Sequence, residues 1–307
     1  SVTTMCLTPI AAVEDIAPLL NSFSLLRFPP EILTEIMVQL NPVDRTHLAL
    51  AHDSLMEVDL KAGHRIFSKV CIDGDSQIEA FDDAARYYRL NLNDIDVTPA
   101  TLRAFFKHSS ARELSINGTV NEKVEYKLEA ALRTLQFGNL LVFLNDSAVR
   151  ILSSLSKSRA SFGKVDIWWQ KDLKELEQAR EMLLSLPAME KFLIHGMADQ
   201  AVVDDEIVLS IVRKTSNSAD FRNCNKDAVT AKGLVEVYQM VANSSSSINE
   251  VHCDASTTKE RQFLYLLAFT LKQSGADRAT IAKAVERTNY EYGAIHMHST
   301  RKIRDSN

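Results

Sequence analysis

The feature that leaves this chain the fewest ways to fold is a short apolar pattern that returns at nearly constant intervals. It consists of an apolar residue, any two residues, a second apolar residue, any one residue, and a third apolar residue. Copies read Tyr87, Leu90, Leu92 (with Ile95 and Val97 beyond); Ala111, Leu114, Ile116; Phe137, Leu140, Val142; Phe162, Val165, Ile167; Met189, Phe192, Ile194; and Ala219 with Phe221. The second apolar positions fall at 90, 114, 140, 165, 192 and 219, separations of 24, 26, 25, 27 and 27 residues. Val251 with Cys253 and Ile295 with Met297 continue the series at wider gaps of 32 and 44, and Val70 with Ile72 forms an earlier, weaker copy. Alternating apolar residues make a strand with one buried face. Between the copies the sequence predicts helices over Lys123–Leu135, Leu173–Leu186, Glu206–Lys214, Lys232–Val241, Glu260–Gln273 and Thr280–Asn289. A strand plus a helix cannot cover its own apolar face, so such units must stack and share a core. The expected fold class is an α/β solenoid.

The position closing each copy carries Asn145 in the clearest one and Cys224 in another, with Ile95, Thr119, Gln170, Met197, Ser256 and Thr300 elsewhere. Asn or Cys at that point, after this spacing, resembles an irregular leucine-rich-repeat array. The resemblance implies a horseshoe over residues 69–307 with strands on the concave side and helices on the convex side. A doubly wound α/β domain is the alternative, but no Gly-rich phosphate loop follows any strand, and the chain holds only 9 glycines.

Ahead of the array, residues 28–55 have a different pattern. Pro29 and Pro30 interrupt any preceding structure, and Pro30 is suited to a first helical turn. Ile32, Leu33, Ile36, Met37 and Leu40 recur at spacings of three and four, so an amphipathic helix is expected to end at Leu40. Asn41 then caps a second helix that has Pro42 at its start, Asp44 in its first turn, and Leu48, Leu50 and Ala51 further along. Phe28-Pro29, Glu31-Ile32-Leu33, Pro42-x-Asp44 and Leu48 together resemble an F-box. Where that family has a Cys or Ser, an Arg and a Trp, this chain has His52, Asp53, Ser54 and Leu55, and the third helix is expected at about 54–67. The organisation read from the sequence is therefore an N-terminal segment at 1–27, with one helix from Ala11 to Leu20, a three-helix F-box-like domain at 28–68, and repeats at 69–307.

The F-box resemblance implies a Skp-family adaptor as partner, joining the chain to a cullin and a RING subunit, with contacts from Pro29, Ile32, Leu33, Ile36, Leu40, Pro42, Asp44 and Leu48. Leu33 and Ile36 have a second reading as core residues. A helical unit of about forty residues rarely buries enough surface to stand alone, so a neighbour is also expected on physical grounds.

Side chains alternate across a strand, so residues between these apolar positions face the opposite, concave surface. In the middle strands these are Leu141, Phe143, Asp166, Trp168, Leu193, His195, Asp220 and Arg222, with Trp169 next door. An aromatic centre with a charged rim has the composition of an interface hot spot, and a protein substrate is the expected occupant. Trp169 and Phe143 could instead complete the core.

Other chemistry is less well supported. His252, Asp254, His296 and His298 could share a face and suggest zinc or a hydrolase, but the long insertion between their strands leaves their adjacency open. Cys224 and Cys253 sit at core positions, which disfavours a thiol nucleophile paired with His252. Asp204, Asp205 and Glu206 suit a helix N-terminus, and Ser244–Ser247 read as a loop. No catalytic residue, metal or cofactor is expected. The four cysteines lack CxxC spacing, consistent with a reducing cytoplasmic or nuclear compartment. A net charge of -5, with the only dense basic stretch at Arg301, Lys302 and Arg304, argues against nucleic acid. No apolar run is long enough to span a membrane, and Glu14 and Asp15 break up any signal-like stretch. The expected role is substrate recognition in a cullin-RING ubiquitin ligase. The alternative is a repeat scaffold or inhibitor with no ligase role.

Overall fold

The computed structural model describes residues 25–299 apart from 41, 63–64, 74–75, 83–86, 96, 108, 172, 198, 201 and 244–246. The expected helix at Ala11–Leu20, the Asn41 cap, Thr300 and the basic residues after it lie outside the described residues. The chain divides into two compact units, Ser1–Arg65 and Ile66–Asn307.

Among the described residues, the first unit contains three α-helices, α1 (Pro30–Gln39), α2 (Pro42–Leu50) and α3 (Asp53–Lys61), after a short 3-10 turn at Leu25–Arg27. Pro30 opens α1, and Leu40 ends it in an extended conformation. His52 caps α3, its ring accepting from the Ser54 amide. The third helix stops at Lys61, short of the expected 67, because Ile66, Phe67 and Val70 join a strand where Phe67 and Val70 are fully enclosed. Leu33, Met37, Ala49, Leu55 and Val58 form a small core, with Leu25, Leu48 and Ala62 packed on its margin. The buried guanidinium of Arg45 pairs with the Asp59 carboxylate, and its Nη2 donates to the Asp59 carbonyl at 2.9 Å, joining α2 to α3.

The second unit is an open α/β layer built on one sheet of eleven strands. The strands are β1 (Arg65–Asp73), β2 (Gln77–Asp82), β3 (Tyr87–Asn91), β4 (Ser109–Ile116), β5 (Gln136–Leu144), β6 (Ser161–Trp169), β7 (Ala188–His195), β8 (Thr215–Arg222), β9 (Glu250–Asp254), β10 (Thr288–Glu291) and β11 (Ala294–His298). Their order is β10-β11-β9-β8-β7-β6-β5-β4-β1-β2-β3. From β4 to β9 each strand pairs in parallel with the next. The helices are α4 (Pro99–Lys107), α5 (Glu122–Leu132), α6 (Asp146–Ser158), α7 (Leu176–Ser185), α8 (Asp205–Lys214), α9 (Ala231–Ala242), α10 (Thr257–Gln273) and α11 (Arg278–Glu286).

Parallel neighbours need a crossover, and α5 to α9 supply one each. Crossovers of one hand between strands laid down in order place every helix on the same side of the sheet. In agreement, each helix from α4 to α11 packs against the next in the chain. The order never reverses along β4–β9, so this segment has no switch-point crevice of the doubly wound kind.

Side chains at the strand-to-helix junctions start the helices. Asn121, Asn145, Asp204, Thr230, Ser256 and Asp277 each accept a backbone N–H of the first turn. For Asn145 and Ser256, the closing position of the repeat pattern is thus a helix cap. The lead-in to α7 is held by its neighbour instead, since Asp146 Oδ1 accepts from the amides of Lys174 and Glu175.

All eight central apolar positions of the pattern, from Leu90 to Ile295, lie in strands and are buried. Ile95, at the closing position of the first copy, is 91% exposed beyond the end of β3. Five elements were absent from the expected array. They are the helices α4 and α6 and the strands β1 (beyond its Val70–Ile72 hint), β2 and β10. The array therefore ends in antiparallel strands on both sides. The last expected helix, Thr280–Asn289, stops at Glu286. The chain then turns through Tyr292 and Gly293, both at positive φ, into the β10–β11 hairpin.

Candidate functional site

The helix layer covers one face of the sheet, and among the described residues no helix of this unit covers the other. On that open face, pairing in register sorts the side chains into rows running across the strands. One row is Phe143, Trp168, His195 and Arg222; the next is Leu141, Asp166, Leu193, Asp220 and His252; a third includes Lys164 and Lys191. Parallel strands in register bring equivalent positions about 4.8 Å apart, close enough for rings to stack.

The first row forms an aromatic stack. Phe143 and Trp168 lie 6.2 Å apart at 22°, and Trp168 and His195 lie 3.8 Å apart at 18°. Trp168 is 39% exposed. Both of its faces are occupied by neighbouring rings, so it presents its edge outward. Burial pushes the His195 pKa below its ordinary value, outweighing the pull of Asp166, so at neutral pH the ring stacks uncharged.

The neighbouring charges are organised around two carboxylates. Lys164 Nζ lies 2.8 Å from Asp166 Oδ2. Asp220 Oδ2 accepts from Arg222 Nε at 2.8 Å and Nη2 at 2.6 Å, with His252 Nδ1 at 3.6 Å. Burial by itself would raise the Asp220 pKa, but the hydrogen bonds from His252 and Arg222 hold it below the ordinary carboxylate value. Asp254 is raised instead, chiefly by burial.

At the far end, the His252 and His296 rings lie 4.3 Å apart, with His298 6.3 Å from His252. The insertion therefore does bring these strands together. Even so, among the described residues no three of His, Cys, Asp and Glu converge as metal ligands. Cys224 and Cys253 are enclosed, and burial pushes their thiols up, to about 12 for Cys224, so both stay protonated and unreactive.

Of the residues expected to face a substrate, Leu141, Phe143, Asp166, Trp168, Leu193, His195, Asp220 and Arg222 share the open face. Trp169 does not: it is 7% exposed and turned toward the helix layer, as strand alternation after Trp168 dictates. Lys164 and Lys191 were missed, although stepping back two residues from Asp166 and Leu193 would have found them.

In the first unit, Pro29 and Ile32 are exposed, Asp44 is exposed in the first turn of α2, and Ile36, Leu40 and Leu48 are half-buried. Leu33 belongs to the core and cannot double as a contact surface. Pro42 opens α2, and its side chain lies outside the described residues.

Changing Trp168 to Ala removes a partly exposed ring and costs about 0.5 to 1.5 kcal/mol of stacking in addition to the area the ring buries. The expected outcome is a melting temperature lowered less than by truncation of an enclosed ring and a clear loss of ligand capture on this face. Calorimetry and a binding assay on the same preparation measure the two. A loss of several kcal/mol in stability would place the ring in the core.

No helix among the described residues is long and apolar enough to cross a membrane. No family model, curated protein or solved structure matches the chain.

Proposed function

We propose that the chain is a substrate-recognition subunit of a cullin-RING ubiquitin ligase of the SCF type. Its helical unit would act as an F-box that binds a Skp-family adaptor, and its sheet-and-helix array as an irregular leucine-rich-repeat arc that binds a protein substrate. The observation that carries the reading is the apolar surface left on the helical unit. The unit encloses only a handful of side chains, yet Leu26, Phe28, Ile32, Val38, Leu50 and Met56 are each 37–50% exposed. Covering a Leu or Ile is worth roughly 1.5 to 3 kcal/mol, so this surface favours association with a second protein.

The parallel strands laid down in order, with helices on one side, support the second half of the reading. In this role the chain catalyses nothing itself and works by holding a substrate near a charged ubiquitin-transferring enzyme. The test is capture of recombinant Skp-family adaptor by the intact chain and by a chain lacking residues 28–61, which leaves β1 in place. Capture by the first and loss in the second is the expected result. No capture by the intact chain would leave the scaffold or inhibitor reading in its place.

A further inference from the structure

We infer that the open face of β6, β7 and β8 receives an acidic, carboxylate-bearing segment of a partner protein. This names the substrate class of the face assigned above and rests on that assignment only for calling the segment a substrate.

The inference comes from the depth at which the charges sit. The Asp166 side chain is 13% exposed, while its partner Lys164 is 45% exposed. Asp220 is 15% exposed, while Arg222 is 55% exposed. In both pairs the carboxylate forms the floor and the cation stands above it. An approaching molecule meets ammonium and guanidinium first. Lys191 is exposed, lies in register beside Lys164, and has no ion-pair partner among the described residues.

The cations stand at two levels on the face. Lys164 and Lys191 form one end, Arg222 beside the Trp168 edge forms the other, and four residues of strand separate the levels by about 13 Å. Half-buried Leu141 and Leu193 lie between them. A chain segment with carboxylates on either side of an apolar side chain matches this order. Because the two ion pairs are neutral in sum, the attraction acts at short range and weakens with salt.

Single carboxylates spaced along a chain suit the site better than one phosphate group, because Arg222 stands four residues of strand away from the lysines and the cations do not converge on one point. Arg222 already engages Asp220 through Nε and Nη2, so it meets any incoming anion as a single charge and not as a bidentate fork. The lysines act as point charges without that geometric demand.

The test uses the full chain and three labelled peptides of equal length: acetyl-(Glu-Glu-Leu)4, its (Lys-Lys-Leu)4 counterpart and a (phosphoSer-Ser-Leu)4 counterpart. Fluorescence anisotropy is expected to show binding of the glutamate peptide that weakens as salt rises, and no binding of the lysine peptide. Lys191→Glu should weaken the glutamate peptide by about tenfold or more while leaving the melting temperature in place, since the side chain is exposed and unpaired. The proposal is overturned by no glutamate-peptide binding, by equal binding of the lysine peptide, by tighter binding of the phosphopeptide, or by indifference to Lys191→Glu. Adaptor capture measured on the same preparation separates the two ideas. A chain that captures adaptor and ignores the acidic peptide loses only this inference, and one that binds peptide without adaptor loses only the ligase assignment.

Discussion

An Ile32→Asp variant is expected to lose capture of a Skp-family adaptor by about thirtyfold to a thousandfold, the range of roughly 2 to 4 kcal/mol typical of a central interface residue. Ile32 is 47% exposed on α1, so an Asp there is already solvated in the free chain and the helical unit should keep its fold. The cost arises when the partner covers a carboxylate that has no counter-charge. Leu33→Ala is the contrasting variant. That residue is 5% exposed in the small core, so its truncation should lower the melting temperature of the helical unit. Pull-down or calorimetric titration with adaptor, combined with thermal unfolding of each variant, reads both effects. If Ile32→Asp bound adaptor as well as the unaltered chain, the exposed apolar face of α1 would not be the contact surface.

The largest effect on stability is expected from Phe192→Ala. Phe192 is 2% exposed on β7, in the middle of the parallel segment, with its ring 5.5 Å from that of Phe221 on the next strand. Removing the ring deletes packing between the sheet and the helix layer and leaves a cavity that regular strands cannot collapse to fill. Such truncations cost about 3 to 5 kcal/mol, or roughly 10 °C in the melting temperature of a unit this size. The chain has two compact units, so unfolding followed by calorimetry should show the transition of the sheet unit moving. Adaptor capture by the helical unit should persist at temperatures where both remain folded. A shift of only a degree or two would mean that this row of the core is loosely packed.

The same pair of residues, Trp168 and Trp169, marks how far the sequence could be read. Their opposite faces follow from alternation alone once the strand is located, and Val165 and Ile167 locate it. Lys164 and Lys191 escaped notice because the two-residue gap after Phe162 and Met189 interrupts simple alternation. Asn145 looked like a closing repeat residue, but it caps a helix with a side-chain bond to the Ala148 amide at 2.9 Å. The motif and the cap share one residue type at one place, and only the following turn distinguishes them. Helix α6 was missed for a similar reason, since its serines at 147, 153, 154, 156 and 158 dilute an apolar face that Val149, Ile151, Leu152 and Leu155 nevertheless bury.

The positions and buried faces of β3 to β9 and β11 and the first two short helices near the N-terminus were determined by the sequence by itself, because a period of two or of three to four residues is a local property that burial enforces at every turn. Strand direction at the ends of the sheet was decided only in the tertiary structure, since an alternating strand reads the same in a hairpin as in a crossover. So were the stacking of Phe143, Trp168 and His195 and the placing of cations above buried carboxylates. Those depend on the register between strands more than twenty residues apart, and register is set by how whole helices pack across the sheet.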